Sequence, residues 1–237
     1  MDKEHANLLL VAVAKAPVPG DVKTRLVPQF TYEEAAGLYR RFLQDRMMTM
    51  RALEGVDLAI AYTPADAGDM FVPFSQNGIG LFPQKGGDLG ERLNNIFLDK
   101  LTGGYDAVSI IDTDTPDLPP WIIRESFRRL LSGQIDVVLG PCHDGGYYLI
   151  GMRQPHPDLF ENIPWSTETV LSKTLERAGK RGVKTELLLQ WNDLDTFEDL
   201  AAYYKKYRDE RPKGQWSGKQ TFLFLSQLNK INRSLTY

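Results

Sequence analysis

The strongest constraint on this chain is an alternation of two patterns: short uninterrupted apolar runs, and longer segments whose apolar residues recur every three or four positions. Leu8-Leu-Leu-Val-Ala-Val-Ala14 offers no polar residue to water on either side, so it predicts a strand buried on both faces. Lys15 to Gln29 carries Pro17, Pro19, Gly20 and Pro28 and reads as loop. Thr31, with Glu34 three residues on, predicts a capping box. It opens a helix whose buried stripe is Ala35, Tyr39, Phe42 or Leu43, Met47 and Met50, ending near Gly55. The alternation continues with strands expected at 57–62, 79–82, 106–111, 136–139, 147–150 and 183–189. Helices are expected at 88–101, 118–131, 167–181 and 196–207. Strands alternating with helices predict an α/β fold, a mostly parallel sheet flanked by helices on both faces. Residues 1–207 are expected to form one domain. Residues 208–237 are expected to be a C-terminal extension, a polar linker to Gly218 and then an apolar tail. That tail carries Phe222, Leu223, Leu225, Leu228 and Ile231, which pack on their own domain or form a homodimer contact.

Composition narrows the function classes. With 28 Lys+Arg against 31 Asp+Glu among 237 residues, the net charge of −3 gives no electrostatic basis for nucleic-acid binding. The single cysteine, Cys142, excludes an intrachain disulfide and a thiolate zinc cluster. The 8–14 run follows Asp2, Lys3 and Glu4 and is far too short to span a bilayer, so a cytoplasmic protein without a membrane span is expected. Neither a Gly-Lys-Ser/Thr P-loop nor a Gly-x-Gly-x-x-Gly dinucleotide turn is present.

In open α/β sheets ligands bind beyond the carboxyl ends of the strands, so the loops after each strand carry the functional reading. The first loop, Lys15 to Arg25, holds Lys15, Lys23 and Arg25 on a backbone shaped by Pro17 and Gly20, an expected phosphate clamp. After the 106–111 strand come Asp112 and Asp114, two apart and so on one side of an extended chain. They are candidate ligands for Mg²⁺ or Mn²⁺, or, with Asp117, organisers of a turn and a helix cap. Gly140-Pro-Cys-His-Asp-Gly-Gly146 follows the next strand. Here Gly145 and Gly146 allow backbone to approach a phosphate, and Asp144 is the candidate base toward an acceptor hydroxyl. Cys142 reads as a small buried residue and His143 as a surface one. Asp193 and Asp195 are either further metal ligands or, for Asp195 with Thr196, a helix cap. Ser166 and Thr167 read as caps of the 167–181 helix, and Gln84 and Arg92 as structural.

Several of these segments resemble, in order, the motifs of the DUF2064 glycosyltransferase-like family. They are Lys15-Ala-Pro-x-Pro-Gly-x-Val-Lys-Thr-Arg-Leu26, Asp114-x-Pro-Asp-Leu118, Gly140-Pro-x-x-Asp-Gly-Gly-Tyr-Tyr-Leu-Ile-Gly151, Pro164-Trp-Ser-Thr167 and Asp195-Thr-x-Glu-Asp-Leu200. The resemblance spans residues 7–205. It implies a GT-A, nucleotide-diphospho-sugar transferase-like fold and a divalent ion at Asp114 bridging the diphosphate of a sugar nucleotide. Where family members carry Gly and Cys, this chain has Asp112 and Thr115, which places Asp114 ahead of Asp112 as the ligand. The expected activity is metal-dependent glycosyl transfer from a nucleotide-diphospho-sugar to a small-molecule acceptor. The first loop also resembles that of nucleotidyltransferases, and three cations suit a triphosphate. The alternatives are therefore nucleotidyl transfer from an NTP with pyrophosphate release, and a non-catalytic nucleotide-binding protein.

Overall fold

The computed structural model describes residues 6–27, 29–210, 212–228 and 231. Among the described residues seven strands form one sheet: β1 Leu8–Lys15, β2 Asp57–Thr63, β3 Ile79–Pro83, β4 Ala107–Ile111, β5 Val137–Pro141, β6 Tyr147–Met152 and β7 Thr185–Leu187. Their order is β3-β2-β1-β4-β6-β5-β7, with β6 alone running against its neighbours. The helices are α1 Tyr32–Arg51, α2 Gly68–Phe71, α3 Leu89–Thr102, α4 Pro120–Leu131, α5 Val170–Lys180, α6 Phe197–Glu210 and α7 Lys219–Gln227.

Strand β1 shows why its sequence lacks alternation. Leu10, Ala12 and Ala14 enter the core beneath α1, α4, α6 and α7, while Leu9 and Val11 enter the one beneath α3 and α5. Each fully buried Leu there contributes roughly 1.5–3 kcal/mol of transfer free energy. Helix α1 starts as its capping box dictates. Thr31 Oγ1 accepts from Glu34 N at 3.2 Å, and Glu34 Oε2 accepts from Thr31 N at 2.7 Å. Asp88 caps α3 without the reciprocal bond: it accepts from Glu91 N at 2.8 Å, while Glu91 Oε2 accepts from Gly87 N at 2.7 Å.

Several expectations are corrected. The first loop contains a 3₁₀ turn at Thr24–Leu26. The short α2 carries too few residues for periodicity to reveal it. Helix α5 begins at Val170 without a side-chain cap. Ser166 lies in the left-handed region at φ 64°, and the Thr167 hydroxyl donates instead to the Pro164 carbonyl at 2.7 Å. The last strand is only three residues long, although the chain stays beside β5 beyond it: Leu188 N donates to the Leu139 carbonyl at 2.8 Å and Trp191 N to the Pro141 carbonyl at 3.0 Å. Helix α6 runs on to Glu210, into the stretch expected to be linker.

Helix α7 packs on α1 and α6. Asp45, fully buried on α1, accepts from Gln220 N (2.9 Å), Thr221 N (2.8 Å) and the Thr221 hydroxyl (2.7 Å), closing the amino end of α7. Leu225 and Ile231 are buried, and Phe222 stacks on Tyr204 at 5.2 Å. The rest of the expected tail contact, residues 229–230 and 232–237, lies outside the described residues.

Candidate active site

The chain leaves β1 toward one edge of the sheet and returns to add β4 on its other side, so the switch point lies between these two strands. Loops from the carboxyl ends of β1, β4, β5 and β7 meet there. They wall a cleft of about 400 Å³ that includes Asp112, Asp114, Asp144, Asp193 and Asp195, with Tyr147 and Trp165 supplying aromatic surface. A smaller cleft of about 230 Å³, lined by Lys15, Lys23 and Tyr39, adjoins it and shares Arg25, Asp114 and Asp195.

Lys23 is the centre of this arrangement. Its backbone is left-handed, φ 50°, a conformation that a non-glycine residue adopts at a cost of about 1 kcal/mol. The side chain is only 4% exposed, and Nζ lies 2.7 Å from both Asp114 Oδ1 and Asp195 Oδ1. Nζ also donates to the Leu194 carbonyl at 2.9 Å and sits 5.0 Å from the centre of the Phe42 ring. Burial works to lower its pKa, but the two carboxylates outweigh it and raise the ammonium above its ordinary value. Expected to grip a phosphate, Lys23 instead joins the β4 loop to the segment before α6. The cations that face solvent are Lys15, whose Nζ donates to the Asp21 carbonyl at 2.9 Å, and Arg25, 63% exposed and 3.1 Å from Asp195 Oδ2.

Asp112 and Asp114, two apart in sequence, have different partners. Asp112 Oδ1 accepts from the Thr115 hydroxyl (2.7 Å) and lies 3.3 Å from Arg46 Nη2. Arg46 is wholly buried on α1; it also donates through Nε to the Asp112 carbonyl (3.0 Å) and through Nη2 to the Thr115 carbonyl (2.7 Å). Burial pushes Asp112 up to about 7 despite Arg46, with Asp114 and Asp193 adding to the rise. The sequence reading missed Arg46. Its signal is a charged Asp45-Arg46 pair set between Leu43 and Met47 in the buried stripe of α1.

Asp144, exposed in the β5–β6 turn, accepts from Gly146 N at 2.8 Å. Asp193 lies beside it: ligand atoms of Cys142, Asp144 and Asp193 are all within 4.8 Å of one another. Burial, then Asp144 and Asp195, push Asp193 up to about 6. The same burial and the surrounding aspartates raise the Cys142 thiol far above its usual range. A protonated sulfur is a poor ligand for a hard ion, whereas two carboxylates short of positive charge fit Mg²⁺ or Mn²⁺. The four expected ligands thus divide. Asp114 and Asp195 share Lys23, Asp112 is held by Arg46 and Thr115, and Asp193 joins Asp144.

Other expectations are corrected by position. Pro17 is buried, its carbonyl accepting from Arg40 at 3.0 Å, and lines neither cleft. Gly20, φ 87°, turns an exposed stretch outside both. Gly145, φ 89°, lines neither cleft, and its missing side chain makes room for Glu168, since a Cβ there would lie 2.0 Å from the Glu168 carbonyl oxygen. Gly146 does line the cleft. Asp117 caps no helix: it accepts from Trp191 Nε1 and from the Tyr207 hydroxyl, each at 2.8 Å, tying α6 to the β4 loop. The alternative cap before α6 does form, with Thr196 Oγ1 accepting from Asp199 N at 3.2 Å. Asp195 N and Thr196 N donate to the Asp199 carboxylate. Gln84 and Arg92 bond backbone carbonyls, and His143 is exposed.

The family profile described as "Uncharacterized protein conserved in bacteria (DUF2064)" matches residues 46–167. The chain belongs to the DUF2064 family. A crystal structure from Desulfovibrio desulfuricans G20, described as a candidate nucleotide-diphospho-sugar transferase, is 32% identical. It superposes with a TM-score of 0.86 over 97% of this chain and 98% of that one. The inositol-1-phosphate CTP transferase of T. maritima shares the fold at 15% identity and TM-score 0.54, over 88% of this chain and 98% of that one. CMP:2-keto-3-deoxy-manno-octonic acid synthetase complexed with CTP does so at 14% and 0.52, over 86% and 100%. No curated protein sequence matches significantly. The DUF2064 chain thus has a nucleotide-diphospho-sugar transferase-like fold, and no helix among its described residues is long and apolar enough to cross a membrane.

Proposed function

We propose that this DUF2064 protein transfers a sugar from a nucleotide-diphospho-sugar to the hydroxyl of a small acceptor. One observation carries the reading. Carboxylates from three chain-distant loops, Asp114, Asp144 and Asp193, line a single cleft whose rim carries Arg25, with Lys15 in the adjoining one. Collecting like charges is costly unless a cation uses them. Asp193, with Asp114 on the same wall, would hold Mg²⁺ or Mn²⁺, and Asp144 beside them stays free to act as a base. Bound there, the ion would neutralise charge developing on the departing nucleoside diphosphate.

The chain's own groups supply the rest. Arg25 and Lys15 present donors to phosphate oxygens. Lys23 keeps Asp114 and Asp195 at fixed separation, so the wall is set before substrate arrives, and Arg46 does the same for the 112–115 turn. Asp144 Oδ1 is engaged by Gly146 N, which leaves Oδ2 to accept the acceptor's proton as its oxygen attacks the anomeric carbon. Trp165 and Tyr147 give the cleft aromatic surface against which a sugar or base can pack. The engagement of Lys23 by two carboxylates leaves two solvent-facing cations, a set that suits a diphosphate better than a triphosphate and favours glycosyl over nucleotidyl transfer.

The deciding experiment presents the protein, with Mn²⁺ or Mg²⁺, to UDP- and GDP-sugars in one series and to NTPs plus sugar phosphates in another. Release of nucleoside diphosphate, lost in Asp144→Asn, is expected from the first. Pyrophosphate release from the second would replace the reading with nucleotidyl transfer. Nucleotide binding without turnover in either would leave a sensor.

A further inference from the structure

A second concavity, of about 630 Å³, lies between α1, the 68–75 segment and α7, and shares no wall residue with either cleft of the candidate site. Its floor is apolar and adaptable: Met47 and Met48 from α1, Met70 and Phe74 from the segment, Phe224 from α7. Gly37 lets Phe224 seat this low, since a Cβ there would meet the ring at 3.2 Å. Along the same walls stand Arg40, Arg41 and Arg51.

The hydrogen bonds of these arginines all go to neutral oxygens. Arg40 donates to the Pro17 carbonyl (3.0 Å), Arg41 to the Gln44 amide (2.9 Å), and Arg51 to the carbonyls of Phe74 (3.1 Å) and Gln76 (3.0 Å). Among the described residues no aspartate or glutamate lines the groove. Three guanidinium charges therefore border an apolar trough without a carboxylate partner on its walls, and each keeps unused N–H donors. In a chain of net charge −3 the groove is a local positive excess.

We propose that this groove binds a small amphipathic anion, a carboxylate or phosphate monoester carried on a hydrocarbon chain or ring. The hydrocarbon lies on the methionine and phenylalanine floor, and the headgroup is forked by Arg41, whose guanidinium stands 5.8 Å from the centre of the Phe224 ring. Volume favours a small molecule over a peptide, since pockets for such ligands span roughly 300–1,000 Å³. The site is independent of the transferase reading, with which it shares no residue.

The test is calorimetric titration of the full chain with octyl phosphate and with octanoate, both below their micellar range, against 1-octanol and inorganic phosphate. One saturable site per chain is expected for at least one anion, at least tenfold tighter than for either control. The tighter of the two identifies the headgroup. Arg41→Gln and Met70→Glu should each weaken it at least tenfold while leaving the Tm of the free protein within about 2 °C. Equal binding of inorganic phosphate, or binding indifferent to both substitutions, overturns the proposal. So does the absence of binding together with a dimer that Met70→Glu dissociates, which would make the groove a subunit interface.

Discussion

Replacing Lys23 by Met removes the one charge lying between Asp114 and Asp195. Both carboxylate oxygens are 2.7 Å from the same nitrogen, so they stand at most about 5.4 Å apart. At an effective dielectric constant of about 20, two unit charges at that separation repel by roughly 3 kcal/mol. Breaking a buried pair by removing one partner costs about 3–5 kcal/mol; the low end applies here, because Asp114 is 41% and Asp195 29% exposed to the cleft. Lys23→Met should therefore lose about 3 kcal/mol in urea unfolding followed by tryptophan fluorescence at pH 7. Adding Asp195→Asn should recover at least 1 kcal/mol, as non-additivity in a double-mutant cycle. The pH dependence has a definite sign. Although burial alone would raise it, Lys23 and Arg25 hold the folded Asp195 carboxyl below its ordinary value. That contribution is present above the unfolded pKa and is lost as pH falls through the folded one, so the penalty of Lys23→Met shrinks below about pH 4. A single-mutant cost under 1 kcal/mol, or a double mutant that merely sums the singles, would refute the bridging role of this lysine.

Burial raises Asp45 to about 6, against the backbone amides and hydroxyl that favour its ionised form, so the folded state holds this proton more tightly than the unfolded chain does. Its contribution to stability should fall by roughly 2–3 kcal/mol between pH 4 and 7, seen as a narrowing gap between wild type and Asp45→Asn in denaturant titrations; a gap that widens with pH contradicts this. Asp193→Asn removes a carboxylate that burial, Asp144 and Asp195 disfavour, so Tm in chelator should rise while Mn²⁺ affinity by calorimetry drops at least tenfold. Unchanged affinity would exclude Asp193 from the cation site. Gly145→Ala should cost more than about 3 kcal/mol or prevent folding, whereas Gly20→Ala, at nearly the same φ but with nothing within 4 Å, should cost about 1 kcal/mol. Thermal denaturation of the pair separates steric collision from backbone strain.

Elements whose causes are local were legible in the sequence. Leu8–Ala14 announces a two-sided strand because every side chain in it is apolar, and Thr31 and Asp88 announce helix starts because their partners lie three residues away. The gathering of Asp112, Asp114, Asp144, Asp193 and Asp195 at one edge follows from their places after parallel strands. What stayed hidden depends on distant pairing. Nothing near Lys23 reveals that its ammonium meets a carbonyl 171 residues onward. Nothing near Gly145 shows that its missing side chain makes room for Glu168, so the glycine reads as room for a ligand. Ser166 and Thr167 have the chemistry of caps, but the turn against Pro164 takes the hydroxyl first. Arg46 could be suspected from its place in an apolar stripe, though its target in the turn after β4 could not.

Asp45 and Arg46 are consecutive on α1 yet face different business: the first closes the amino end of α7, the second holds the 112–115 turn. Cutting the chain before Lys219 would strip Asp45 of all three donors, leaving a stranded anion whose nearest cation in sequence is the arginine that steadies the site. Anyone trimming the protein for crystallisation should therefore keep α7, since a shortened version would report on an altered candidate site.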